Sequence, residues 1–129
     1  MIDPSLSGLH ILVVEDEYLL ADDLRTQLGQ AGAEVAGPFA TVAQAAAWLA
    51  RGGTVDFALL DINLGGILIF DLVDALRARA IPIAFLTGYS ESAIPAAYAG
   101  IPVLDKAVMF GMSNRLIARI AGEIGKVPA

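Results

Sequence analysis

Residues Asp56 to Gly66, reading D-F-A-L-L-D-I-N-L-G-G, restrict what this chain can fold into more than any other stretch. Phe57 to Leu60 is an apolar run with no room for a helix before the polar break at Asp61. Such a run reads as a strand buried on both faces, as in a parallel sheet. Asp61 falls where that strand ends, and Asn63, Gly65 and Gly66 turn the chain. Ligands of open α/β sheets gather at the carboxyl ends of the strands. Asp61 is therefore either a reactive carboxylate or a turn cap, which is a common use of aspartate. The rest of the chain has to separate the two.

On both sides of this stretch, short strands alternate with helical patterns. His10–Val14 predicts a first strand, followed by the acids Glu15, Asp16 and Glu17. From Glu17 to Ala31 the leucines Leu20, Leu24 and Leu28 fall on one helical face, and Gly32 stops the helix. Glu34–Phe39 is a second strand, weakened at Gly37-Pro38. Thr41 is placed to cap an alanine-rich helix to about Arg51, with Val42, Ala45, Ala46 and Leu49 inward. Beyond the glycines, Ile67–Arg79 predicts a helix burying Ile69, Leu72, Val73 and Leu76. Pro82–Leu86 is a fourth strand, Glu91–Ala99 at most a short helix, and Ile101–Leu104 a fifth strand. Ala107–Lys126 closes the chain as a helix with Leu116, Ile117, Ile120 and Ile124 inward. Five strands alternating with helices give a parallel sheet covered on both faces.

Composition narrows the function classes. The 129 residues suit one domain, and a 57% hydrophobic content argues against disorder. No uncharged apolar run approaches the roughly 18 residues of a transmembrane helix. The N-terminus lacks the basic start and apolar core of a signal peptide, and cysteine is absent, so a cytoplasmic protein is expected. The net charge of −6 argues against nucleic-acid binding, which needs a basic footprint.

The reactive groups lie just after strands. Glu15 and Asp16 follow the first, Asp61 the third, Thr87 the fourth and Lys106 the fifth. In the doubly wound order 2-1-3-4-5 the first and third strands are neighbours, so three carboxylates meet at one edge beside a hydroxyl and an ammonium. Clustered carboxylates repel, and a hard divalent ion such as Mg²⁺ relieves that repulsion. An ion held there also suits phosphoryl transfer, which relies on positioning and charge neutralisation.

Glu15-Asp16, Asp61, Thr87 and Lys106, each closing its strand, resemble the receiver domain of two-component response regulators. The resemblance spans about residues 9 to 125. It implies a single flavodoxin-like (βα)5 domain over residues 1–129, with no output domain, in a bacterial phosphorelay. By resemblance, Asp61 accepts a phosphoryl group from a histidine kinase or phosphotransfer protein. Glu15, Asp16, Asp61 and the Asn63 carbonyl hold Mg²⁺ (or Mn²⁺), while Thr87 and Lys106 contact the phosphoryl oxygens. Such a protein is a phosphoacceptor rather than a turnover enzyme, and it signals through protein contacts or onward transfer. Phe85-Leu86-Thr87-Gly88-Tyr89 and D-I-N-L-G-G are similar to stand-alone receivers with an F-A-T-G motif, which work with HWE-type kinases in general stress signalling. Leu86 replaces that motif's alanine.

Three departures from the family pattern matter. Val103 stands where receivers usually carry an aromatic residue that moves with the threonine. Tyr89 or Tyr98 could take that role, but the plainer expectation is that both are surface tyrosines. Ala107 replaces the proline after the lysine, and a cis bond to alanine would cost about 3 kcal/mol, so a trans bond is expected. The run Ile67-Leu68-Ile69-Phe70 exceeds what one helical face buries. It is either plain core, or an exposed Leu68 or Phe70 in a homodimer or kinase contact. These departures sustain an alternative, a degenerate receiver acting as a phosphorylation-independent interaction module. A haloacid-dehalogenase-like hydrolase is excluded because Asn63 stands where its general acid/base would be. A dinucleotide site lacks its glycine-rich turn after the first strand. His10 is expected to be structural, Trp48 packing, and Asp22 and Asp23 a solvated helix face.

Overall fold

A computed structural model of the chain describes residues 6–62, 67–87, 94–105 and 113–125. Its centre is a parallel sheet of β1 (His10–Val14), β2 (Glu34–Phe39), β3 (Phe57–Asp61), β4 (Ile83–Thr87) and β5 (Val103–Asp105). The spatial order is β2-β1-β3-β4-β5, the doubly wound order the sequence predicts. The helices are α1 (Tyr18–Gln30), α2 (Val42–Ala50), α3 (Ile67–Ala78) and α4 (Ser113–Gly125), with a 3₁₀ turn at Ala96–Tyr98.

Alternation along each strand divides the core in two. Ile11, Val13, Phe57, Leu59, Ala84 and Leu86 face α1 and α4, where they meet Leu20, Leu24, Leu28 and Ile120. Leu12, Val14, Ala58, Leu60, Ile83 and Phe85 face α2 and α3, against Leu49, Ile69, Leu72, Val73 and Leu76. With both faces covered, β3 is buried along its whole length. Truncating one of these leucines to alanine costs about 2–5 kcal/mol, so the layers are held by many such contacts.

Local signals place the element ends. The Thr41 hydroxyl accepts from the Gln44 amide at 3.1 Å, as its capping role requires. Gly32, at φ +94°, ends α1, and the Ala33 amide reaches back to the Leu28 carbonyl at 3.0 Å. α3 ends in the same motif, with the Ile81 amide on the Leu76 carbonyl at 3.1 Å, but the left-handed position is Ala80 at φ +57°. β2 runs through Gly37-Pro38 with an irregularity that lets Val14 pair with Phe39 after Leu12 has paired with Ala36. A Cβ at Gly37 (φ +97°) would lie 2.5 Å from the Phe39 nitrogen and 2.8 Å from the Val13 carbonyl.

Several expectations are corrected. Ala46 is exposed, while Val42, Ala45 and Leu49 form the inward face of α2. β5 starts at Val103 rather than Ile101, since Pro102 has no N–H to give a ladder and instead accepts from the Phe85 amide at 2.8 Å. Phe70 is half-buried, stacked on Tyr98 (centroids 4.7 Å) and edge-on to Phe85 (6.2 Å). Tyr98 is therefore not a bare surface tyrosine. Residues 107–112 of the expected last helix, and the side chains of Leu68, Leu116 and Ile117, lie outside the described residues. His10 is structural as expected: its amide donates to Asp56 at 2.8 Å and its Nε2 lies 2.6 Å from the Glu34 carboxylate. Trp48 packs against Phe39 with ring centroids 5.9 Å apart. Asp22 pairs with Arg25, and Asp23 accepts from the Gln27 amide group, so the two acids are partnered rather than merely solvated.

The left-handed positions Ala80 and Gly37 predict opposite substitution effects. Ala80→Gly removes the Cβ strain and should stabilise the fold by about 1 kcal/mol, and Gly37→Ala should destabilise it by at least about 2 kcal/mol. Urea unfolding of both variants beside the wild type checks the signs.

Candidate functional site

The site is built by strand register. β1 and β3 pair as Ile11↔Phe57 through Val14↔Leu60, so one further step sets Glu15 beside Asp61. By alternation both side chains fall on the α1 side of the sheet, in line with Val13 and Leu59. Backbone bonds fix both positions. The Glu15 amide donates to the Phe39 carbonyl at 3.0 Å, and the Ile62 amide to the Leu86 carbonyl at 3.0 Å. Glu15 Oε2 accepts from the Glu17 amide at 2.9 Å, which holds the turn into α1 and presents Asp16 between them.

Glu15, Asp16 and Asp61 each bring one carboxylate oxygen to within 4.8 Å of the others. Glu15 and Asp61 are 2% and 1% exposed, while Asp16 is open to solvent. Two buried and one exposed oxygen donor fit a hard divalent cation that keeps part of its water shell, which is the habit of Mg²⁺. Soft-metal ligands are missing from the cluster, and the sequence contains no cysteine.

Thr87 closes β4, buried at 3% exposure, one strand away from Asp61 and paired in register with Asp105 on β5. The structure thus brings Glu15, Asp16 and Asp61 together and sets Thr87 at the next strand end. Asn63, Lys106, Ala107 and Tyr89 lie outside the described residues. Val103 is half-buried and packs with the α2/α3 core.

One feature beside the site escapes the sequence reading. Tyr18 and Leu19, in the first turn of α1, are 84% and 77% exposed, the large apolar side chains standing furthest into solvent among the described residues. The Leu20-Leu24-Leu28 stripe was the available signal, because residues 18 and 19 lie off it.

The model of the response regulator receiver domain matches residues 11–106. The chain is similar to SdrG from Pseudomonas melonis Fr1, solved in its BeF3-activated conformation. The two are 37% identical, with 94% of this chain and 98% of that one covered and a TM-score of 0.69. A response regulator receiver protein from Sinorhizobium medicae WSM419 shares the fold at 21% identity, over 95% of this chain and 99% of that one, with a TM-score of 0.74. The PhyR stress response regulator does so at 22% identity and a TM-score of 0.76, over 96% of this chain but 48% of PhyR. No curated protein sequence matches the chain.

Asp16 is the carboxylate of the cluster whose loss disturbs the fold least, because it is exposed while Glu15 and Asp61 are buried. Millimolar Mg²⁺ should raise the thermal midpoint of the wild type by ligand linkage. Asp16→Asn should melt within a degree or so of the wild type in chelator yet lose most of the Mg²⁺ increment, since a surface substitution costs about 0.5 kcal/mol or less.

Proposed function

The chain belongs to the response regulator receiver family, and from that premise we propose that it is a phosphoacceptor of a two-component phosphorelay. The observation that carries this reading is the convergence of Glu15, Asp16 and Asp61 at adjacent strand ends. In the proposed reaction an Asp61 carboxylate oxygen attacks the phosphorus of a phosphohistidine on a kinase or phosphotransfer protein. The P–N bond breaks as the P–O bond forms, the imidazole takes up a proton, and Asp61 becomes an acyl phosphate. Asp61 needs no base, because it reacts as a carboxylate.

Glu15, Asp16, Asp61 and the Asn63 carbonyl would hold Mg²⁺, whose contribution is to offset charge on the transferring group. Thr87 would donate a hydrogen bond to one phosphoryl oxygen, and Lys106 would pair with another. The buried setting of Asp61 and Glu15 strengthens these electrostatic interactions relative to open water. The added charge then draws Thr87 and Lys106 inward and shifts the loops after β4 and β5.

Tyr18 and Leu19 are the proposed contact for the helix that carries the donor histidine, since they form an exposed apolar pair beside the acids. The resemblance of Phe85-Leu86-Thr87-Gly88-Tyr89 and D-I-N-L-G-G to receivers with an F-A-T-G motif is what supports a place in general stress signalling with an HWE-type kinase. A second reading, an interaction module independent of phosphorylation, draws on Val103, which removes the usual aromatic partner of Thr87. The intact acid set argues against it, since repelling carboxylates have no use in a module that binds no cation.

Phosphoramidate with Mg²⁺ should label the wild type and leave Asp61→Asn unlabelled. A Tyr18→Ser/Leu19→Ser variant should take label from phosphoramidate at the wild-type rate and from a phosphorylated histidine phosphotransfer protein about tenfold or more slowly. Equal labelling of Asp61→Asn would refute the acceptor assignment. Unchanged transfer from the protein donor would refute the docking assignment.

A further inference from the structure

Three contacts converge on Tyr98, and a fourth holds the residue beside it. Phe70 of α3 stacks on the Tyr98 ring at 4.7 Å and 24°, and the Arg77 guanidinium carbon lies 5.2 Å over it. Its hydroxyl donates to Asp74 Oδ1 at 2.9 Å, and Arg77 also donates to the carbonyl of neighbouring Ala97 at 3.1 Å. Phe70, Asp74 and Arg77 are spaced at four and three residues, so one face of α3 supplies all three partners. Among the described residues, this set ties the turn at Ala96–Tyr98 to α3. The turn's own support is slight: the Tyr98, Ala99 and Ile101 amides bond to carbonyls of Pro95, Ala96 and Tyr98.

The inner end of the same stack reaches the candidate site. Phe70 meets the fully buried Phe85 edge-on at 6.2 Å, in a T-shaped arrangement. Phe85 lies two residues before Thr87 on β4, so the two side chains share one sheet face. A line of contacts therefore runs from Phe85, on the strand that Thr87 closes, through Phe70 and Tyr98 to Asp74 and Arg77 on the surface.

We propose that Tyr98 latches the 96–98 turn onto α3, and that this latch is coupled through Phe70 and Phe85 to occupancy of Asp61. The coupling rests on the phosphoacceptor reading; the latch does not. When Thr87 moves to bond a group on Asp61, the end of β4 moves with it. Close-packed rings have little slack, so Phe70 follows Phe85 and its stack on Tyr98 is disturbed. The closed latch opposes that movement. Weakening the latch favours occupancy, and occupancy loosens the latch by the same factor.

The hydrogen bond to Asp74, then partial burial and the Asp74 charge, hold the Tyr98 phenol above its ordinary value of 10.0, against the lowering effect of Arg77. Asp71 adds to the upward shift. The neutral, donating hydroxyl is thus present at neutral pH and is lost only as pH rises through that raised value.

Hydrogen exchange on the whole chain, with and without Mg²⁺ and beryllofluoride as the phosphoryl stand-in, tests both parts. The Tyr98, Ala99 and Ile101 amides should exchange about tenfold faster in Tyr98→Ala, and a few-fold faster in Tyr98→Phe and Asp74→Asn, with β1 amides unchanged. Unchanged exchange in all three variants overturns the latch. If Tyr98→Ala fails to fold, the two milder variants decide. In the wild type, beryllofluoride should speed exchange at the same amides, and Tyr98→Ala should bind it about three- to tenfold more tightly. Binding with no change at these amides and no change in affinity overturns the coupling alone. No binding by the wild type overturns the phosphoacceptor reading and the coupling with it, while the first comparison still judges the latch.

Discussion

The parallel pairing of β1 with β3 is the interaction on which the rest of the molecule depends. Its register carries Glu15 to the side of Asp61, and its hydrogen bonds hold both acids where repulsion would otherwise separate them. Two carboxylates at 4.8 Å or less in a semi-buried place repel by an amount comparable to a few hydrogen bonds. A loop would relax away from that repulsion. A strand end clamped on both sides cannot, because moving it would break ladder bonds and expose leucines from both layers. The sheet thus stores a charge arrangement that a divalent cation can use.

The same pairing explains why the helices fall where they do. β1 and β3 are covered by α1 and α4 on one face and by α2 and α3 on the other, since every second residue of each strand is apolar on each side. α1 begins directly behind the acids, which is why Asp16, Tyr18 and Leu19 come to the surface together. α3 begins just beyond Asp61, and its outer face carries the partners of Tyr98. One sheet edge therefore serves a chemical site and two surface elements, one on each side of it.

The strands were readable because each is a short apolar run closed by a polar residue, and Phe57–Leu60 is the plainest case. The acids were readable because Glu15, Asp16 and Asp61 follow such runs, and a doubly wound order makes the first and third strands neighbours. What escaped depended on distance along the chain. The partners of Tyr98 lie 21 to 28 residues before it, so nothing near position 98 marks it as more than a surface tyrosine. Ala46 looked inward because alanine fits either side of a helix and carries no periodic signal. The apolar Ile101 reads as strand, whereas the observed β5 begins after Pro102, which cannot donate to a ladder. Phe70 fitted core and surface alike until its two ring partners were placed.

The central claim is that the strand-end carboxylate cluster makes Asp61 a phosphoryl acceptor. It is tested most directly by locating the phosphoryl group itself. After incubation with acetyl phosphate and Mg²⁺, borohydride reduction should convert an aspartyl phosphate to homoserine at position 61 in a peptide map, and chelation of the metal beforehand should abolish the conversion. Homoserine at another aspartate, or none anywhere in the chain, would contradict the account.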